Sequence, residues 1–270
     1  MQIRDRVFVV TGGGNGIGRE VVLALLARGG RVAAVDVSDA GLAETARLAT
    51  AAADGGLTTH RVDVTDRAAV GALPGEVAAA HGQVDGVLNV AGIAQRFARV
   101  DNLGFDEIER VVEVNFWGVV NMCKAFLPTL LQRTEASLVN VSSMGALVPV
   151  PGQSAYCVSK VAVKLLTESL YAELRGTPVA VTVVMPGGVR TEILANSGVS
   201  LDNPRAEATV ERFKITSAVA AGRQIVDAVE KGTFRVRIGP DARLVDWFSR
   251  LMPQRATILI ANRMRSLLDS

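Results

Sequence analysis

Between Arg6 and Glu20 a short apolar run, Val7-Phe8-Val9-Val10, breaks into Thr11-Gly12-Gly13-Gly14-Asn15-Gly16-Ile17-Gly18 and then into a helical pattern with Val21, Val22, Leu25 and Leu26 on one side. This strand, turn and helix start constrains the chain more than any other stretch. Glycine takes backbone angles closed to other residues and lets the main chain approach a ligand closely. The helix points its unpaired amides and the positive end of its dipole at the turn, which suits a phosphate. Spacing narrows the choice, because G-x-G-x-x-G fits in no register and no Gly-Lys-Ser/Thr makes an ATP-type loop. What stands here is Thr-Gly-x-x-x-Gly-x-Gly, and Gly12, Asn15, Gly16, Ile17 and Gly18 are the candidate nucleotide-binding residues. The next strand-like run, Arg31 to Asp36, ends in a carboxylate eighteen residues after Gly18. An acid there accepts hydrogen bonds from the adenosine ribose and repels a 2′-phosphate, favouring NAD over NADP. The plainer reading makes Asp36 a strand end and the glycines an ordinary turn; acid and glycines together favour a nucleotide.

Apolar runs alternate with longer helical patterns along the chain, the signature of βαβ units building a parallel sheet. After Asp36 the pattern predicts a helix near Ala40 to Ala53, a strand at about Leu57 to Val62, a helix around Ala68 to His81 and a strand ending in Asn89-Val90-Ala91-Gly92. A long helix over roughly Phe105 to Leu131, a strand over Ser137 to Val141, a helix from about Ser154 to Leu174 and a strand over Val179 to Val184 follow. A helix near Ser217 to Lys231 and a strand over Phe234 to Ile238 close the series. The expected fold is α/β: one Rossmann-like, doubly wound catalytic domain over residues 1–239, with a parallel sheet of about seven strands flanked by helices. Polar, irregular sequence over 192–214 reads as a substrate flap, and 240–270 as a helical, amphipathic C-terminal extension.

Bulk properties exclude several classes. A formal charge of +2 gives no argument for nucleic acid. Cys123 and Cys157 are too few for a disulfide framework or a zinc cluster and point to a reducing compartment. His60 and His81 have no acid or cysteine at ligand spacing and read as surface residues, so no metal is expected. The N-terminus enters a core strand almost at once, leaving no room for a signal peptide, and no apolar run approaches the ~20 residues that span a bilayer. A cytoplasmic location is the expectation.

Tyr156 and Lys160 are four apart on one predicted helix and hence share a face. An ammonium near a phenol favours the phenolate and draws its pKa down from about 10 toward working pH. Such a tyrosine gives a proton to a carbonyl oxygen or takes one from an alcohol. Ser143, at the carboxyl end of the Ser137 to Val141 strand, can donate a hydrogen bond to the same oxygen. Asn115 is an amide in an apolar helical stripe; its plain reading is a core polar group satisfied by backbone. Asp63 caps the following helix or faces an adenine edge. Taken alone, Tyr-x-x-x-Lys is a common surface pattern, and its weight comes from company.

Together these residues resemble the short-chain dehydrogenase/reductase family from about Arg6 to Gly239. The matching motifs are the Thr11 to Gly18 turn, Asn89-Val90-Ala91-Gly92, Asn115, Ser143, Tyr156-Cys157-Val158-Ser159-Lys160 and Pro186-Gly187-Gly188-Val189-Arg190-Thr191. Many relatives have a second Asn where this chain has Val90. The resemblance implies that Asn115, Ser143, Tyr156 and Lys160 are catalytic, with Asn115 holding a proton-relaying water through its main chain and Lys160 also binding the nicotinamide ribose. It further implies that Asn89, Ala91 and Gly92 line the adenosine and ribose side, and that Asp63 and Val64 contact adenine. Pro186, Gly187, Val189 and Thr191 would sit at the nicotinamide, Val189 and Thr191 gripping its carboxamide. The spacing of four between Tyr156 and Lys160 speaks against members that reduce enoyl thioesters, and the short length against those that epimerise nucleotide sugars.

The positions expected around the substrate are Ala94, Gln95, Met144, Ala146, Val148 and Val150. They are mostly apolar, which fits either a lipophilic ketone or secondary alcohol (steroid, fatty or terpenoid) or a loop packed on the core. The expected activity is an NAD(H)-dependent oxidoreductase interconverting a secondary alcohol and a ketone; the alternative is a nonenzymatic NAD(H)-sensing protein on the same fold. In the extension, Leu244, Phe248, Leu251 and Met252 recur at helical spacing, as do Ile260, Met264, Leu267 and Leu268, with arginines between. Such a segment can lie on a membrane surface, cover a pocket or pack on a second subunit. The last reading is preferred, with a homodimer or homotetramer as the expected assembly.

Overall fold

The computed structural model describes residues 1–49, 56–199, 208, 211–212 and 216–265. Strand β1 (Val7–Thr11) has every residue buried, as a strand covered by helices on both faces requires. It continues through the glycine turn into α1 (Gly16–Ala27), then β2 (Arg31–Asp36), α2 (Asp39–Ala49) and β3 (Leu57–Arg61). The expected end of α2 at 50–53 lies outside the described residues. Next come α3 (Arg67–His81), capped by Asp66 through the amides of Ala68 and Ala69, and β4 (Gly86–Asn89).

The long helix expected over 105–131 is interrupted. Its parts are α4 (Phe105–Val112), a π-helical turn (Glu113–Trp117) and α5 (Gly118–Leu130). Such single turns with an extra residue are common at functional sites, and this one carries the fully buried Asn115. The chain proceeds through β5 (Ala136–Val141), α6 (Ser154–Glu173), β6 (Val179–Pro186), the two-residue β7 (Val189–Arg190) and a helical turn, α7 (Ile193–Asn196). It ends in β8 (Thr216–Ser217), α8 (Ala218–Lys231), β9 (Arg235–Ile238), α9 (Pro240–Leu251) and α10 (Pro253–Arg263).

Seven strands form one parallel sheet in the order β3-β2-β1-β4-β5-β6-β9, and β7 pairs separately with β8. Because side chains alternate across a strand, β1 feeds two cores. Val7 and Val9 join Leu73, Val77, Phe126, Leu138 and Val163 on one face. Phe8 and Val10 join Val22, Leu25, Val139, Val184 and Ile225 on the other. The chain reverses its direction of travel between β1 and β4, which pair with Thr11 opposite Asn89. In an open α/β sheet the crevice beyond the carboxyl ends at that point is where ligands bind.

One expectation fails away from the crevice. His60 and His81 are not independent surface residues: Thr58 Oγ1 lies 3.0 Å from His60 Nε2 and 2.9 Å from His81 Nε2, and His81 is buried. Strand β3 and the end of α3 bring them together across a separation the sequence hides. The inner side of the extension packs on its own chain. Ala256, Ile260 and Met264 of the α10 stretch pack on Val148 with Phe97, Val150, Val245 and Phe248. It covers the loop after β5 of its own chain, because that loop's apolar residues would otherwise face water. Leu267 and Leu268 lie outside the described residues. Among the described residues no helix is long and apolar enough to cross a membrane, and no group of His, Cys, Asp and Glu could hold a metal.

Candidate active site

A cleft of about 720 Å³ opens over the carboxyl ends of β1, β2, β4, β5 and β6. Its nucleotide-type end is built by the glycine turn. Gly12 holds φ at +70°, and a Cβ there would stand 2.9 Å from Ala91 Cα. At Gly18 a Cβ would lie 2.0 Å from the carbonyl oxygen of Gly12, so only glycine lets α1 begin directly beneath the turn. Asn15 caps α1, its side chain accepting from the amide of Gly16 at 2.6 Å, and no acid stands in the first turn to compete with a phosphate. Thr11 Oγ1 accepts from the amides of Val90 and Ala91 at 3.0 and 3.2 Å, drawing the loop after β4 across the turn.

Asp36 lies at the far edge of the cleft. Its Oδ2 accepts from Gly14 N at 2.9 Å and its Oδ1 from Ser38 N at 3.0 Å, so the carboxylate is held in place by backbone. Asp63 accepts from the amide and hydroxyl of Thr65, while Asp66 performs the helix capping. Asp63 and Val64 both face the cleft.

At the other end stand Ser143, Tyr156 and Lys160, with Met144 and Gly145 beside them. Lys160 is buried, and burial pushes its pKa down to about 8. Its Nζ donates to the carbonyl of Val141 at 3.3 Å and stands 5.8 Å from the centre of the Tyr156 ring. The expected lowering of the tyrosine by its helical neighbour is therefore not what the protein chain alone produces. Burial pushes the Tyr156 phenol up, and the opposing pull comes from a hydrogen bond with Ser143. Shared helix face brings lysine and tyrosine near, but the ammonium is turned toward Val141 rather than engaged with the phenol.

Most of the candidate residues border the cleft: Gly12, Asn15, Gly16, Ile17, Gly18, Ala91, Gly92, Pro186, Gly187, Val189 and Thr191 on the nucleotide side, with Ala94, Met144 and Val150 further along. Three do not. Asn89, placed by resemblance on the adenosine side, is buried behind it, its Nδ2 donating to Asn140 Oδ1 at 2.8 Å. That amide faces the next strand because β4 ends before the loop that turns to the cleft. Asn115 is spent on Ile93, accepting from its amide at 2.8 Å and donating to its carbonyl at 3.0 Å, and on Ser159. Only its main chain is left for the role the resemblance assigns.

Gln95 is the clearest correction, since it does not face a substrate. Buried, it donates to the Gly152 carbonyl at 2.7 Å and accepts from the amides of Ala155 and Tyr156. Val148 likewise lies in the small core under α10 rather than in the cleft. Phe97 and Met264 do line the cleft and were not expected there. For Met264 the only signal was its helical spacing from Ile260; Phe97 had none beyond being apolar near Gly92.

Asp241, at the start of α9, accepts from the amide of Gly188 at 2.7 Å. A Cβ on Gly187 would meet that carboxylate at 2.2 Å, so the glycine makes room for the tie.

A glycine turn under the start of a helix, joined by one crevice to a serine, a tyrosine and a buried lysine, defines an α/β oxidoreductase. The chain belongs to the short chain dehydrogenase family, whose model matches residues 6–201. Among its relatives is SadH of Mycobacterium tuberculosis, 41% identical over 261 residues that span 95% of this chain and 94% of that protein. The 2-(R)-hydroxypropyl-CoM dehydrogenase of Xanthobacter autotrophicus is 33% identical over 83% of this chain and 90% of its own length. A short chain dehydrogenase/reductase from Burkholderia phymatum, solved in complex with NAD, superposes with a TM-score of 0.86 at 25% identity, covering 95% of this chain and 97% of that one.

Proposed function

We propose that this protein is an NAD(H)-dependent oxidoreductase that interconverts a secondary alcohol and a ketone on a lipophilic substrate. The observation that carries the reading is one continuous cleft with Asp36 at one end and Ser143 with Tyr156 at the other. The nucleotide end fits a dinucleotide: Gly12, Gly16 and Gly18 present no side chain there, and the free amides of α1 point at the space a pyrophosphate would fill. Asp36 would accept from the adenosine ribose, and Val189 and Thr191 would border the nicotinamide. When bound, the nicotinamide supplies or accepts the hydride.

The chain's own residues do the rest. In reduction the Tyr156 hydroxyl gives its proton to the substrate oxygen; in oxidation it takes the hydroxyl proton. Ser143 donates a hydrogen bond where negative charge grows on that oxygen. Lys160, with a pKa near working pH, is suited to restoring the proton to Tyr156 between turnovers. Phe97, Met144, Val150, Leu194 and Met264 give the substrate end a largely apolar lining, which favours a hydrocarbon-rich alcohol over a sugar. The relative named as a hydroxypropyl-CoM dehydrogenase acts on a secondary alcohol by its name, which agrees with this reading.

Replacing Tyr156 by Phe removes the proton carrier and little else. NADH binding, followed by fluorescence titration, should stay within a few fold, while turnover of hydroxy steroids, hydroxyacyl esters and aliphatic alcohols should drop by roughly 10³-fold or more. Turnover equal to that of the parent would overturn the assignment.

A further inference from the structure

Helices α9 and α10 are apolar on two sides, and the fold uses only one. Val245 and Phe248 of α9, with Ala256 and Ile260 of α10, face the loop after β5. On the outer side of α9, Leu244, Trp247 and Leu251 follow the i, i+3, i+7 spacing of a single stripe and are 66%, 62% and 59% exposed. On α10, Ile258 and Leu259 are 51% and 41% exposed. Singly exposed apolar residues are ordinary, but a stripe of this kind marks an interaction surface.

Charge decides what the surface meets. Arg243 and Arg250 flank the α9 stripe one position before Leu244 and Leu251, and Arg255, Leu259 and Arg263 form one i, i+4 row on α10. These arginines are exposed. The two acids described in this stretch are turned inward: Asp241 accepts from Gly188, and Asp246 is held between Arg237 and Arg250. A second copy seated on this face about a twofold axis would bring arginines against arginines, with both described acids of the stretch already engaged. An anionic bilayer offers both halves of the complement, phosphates for the guanidinium groups and an apolar boundary for the stripe.

We propose that the α9–α10 hairpin docks this protein on the surface of anionic membranes, with Leu244, Trp247 and Leu251 at the headgroup boundary. The hairpin's inner side contributes Met264 to the cleft, so the docked face adjoins the entry for an apolar substrate. That second step rests on the proposed function; the docking itself does not.

The test uses the full chain and its own reporter, since the only tryptophans are Trp117 and Trp247. Vesicles of phosphatidylcholine mixed with phosphatidylglycerol should shift the emission to the blue and carry the protein down on sedimentation. Vesicles of phosphatidylcholine alone should do neither, and high salt should reverse the effect. The shift should vanish in Trp247→Phe. Arg255→Gln combined with Arg263→Gln should lower the partition coefficient about thirtyfold. Because these side chains are exposed, the variants should unfold at the parent's temperature. No vesicle-dependent shift or pelleting overturns the proposal, as does equal binding to neutral vesicles. A concentration-dependent shift without vesicles, with doubling of mass in sedimentation equilibrium, also overturns it and assigns the face to a second copy. Binding is read without turnover, so its failure and the failure of the proposed activity remain distinguishable.

Discussion

The side-chain oxygen of Gln95 accepts a hydrogen bond from the main-chain amide of Tyr156 at 3.1 Å while also accepting from Ala155 at 2.8 Å. Helix α6 has no cap from its own preceding residue, Gln153, whose side chain instead donates to the Gln95 carbonyl at 2.7 Å. A residue of the loop after β4 therefore fixes the first turn of the helix that carries the tyrosine.

Gln95→Ala should strand two amides at that turn and cost roughly 1–3 kcal/mol of stability. Loss of position should lower kcat by roughly 10- to 100-fold while the KM for NADH changes little. Gln95→Glu keeps the acceptor but buries a carboxylate against the Gly152 carbonyl, so it should not recover the lost stability. Thermal unfolding and steady-state kinetics separate these outcomes.

Ser143 pulls the Tyr156 phenol down against the push of burial. Ser143→Ala should therefore raise the pH at which alcohol oxidation reaches half its plateau, and lower the plateau by roughly 10²-fold. A pH profile of kcat/KM checks this, and an unmoved midpoint would separate the serine from the titrating group.

Lys160 has its pKa lowered by burial from 10.5 to about 8. Below pH 8 the lysine is charged in both the folded and unfolded states, and the full cost of burying it is present. Between about 8 and 10.5 the folded protein has lost this proton while the unfolded chain keeps it, so stability rises with pH through that window. The gain amounts to about 3 kcal/mol. Lys160→Met should be more stable than the parent near neutrality, with the difference shrinking as pH climbs. Denaturant unfolding of both proteins, without cofactor, measures it.

Asp36 sets the proposed cofactor preference. Asp36→Ala should raise the KM for NADH roughly tenfold and lower that for NADPH, since a hydrogen-bond acceptor and a repulsive charge go together. A parent enzyme that already favours NADPH would contradict the role.

What could be read from the chain was local. The glycine turn, the acid at the end of β2 and the four-residue spacing of Tyr156 and Lys160 depend on neighbours in sequence, and all of them border one cleft. The π turn at Glu113–Trp117 was hidden because the apolar pattern runs through it without a proline or glycine. The direction of an amide side chain was equally hidden. Asn89 and Gln95 carry nothing that says which way they face, and contacts with Asn140 and with the start of α6, distant in sequence, decide it. The docking of Met264 against Val148 joins residues more than a hundred positions apart, beyond any periodicity.

The tie between Asp241 and the amide of Gly188 makes the last helices mechanically continuous with the segment that runs from β6 toward Thr191. Whatever presses on the outer helices is one carboxylate away from the strap beside the proposed nicotinamide position. The tail is thus a lever as well as a cover, and shortening the protein at Pro240 would slacken a part of the molecule far from the cut.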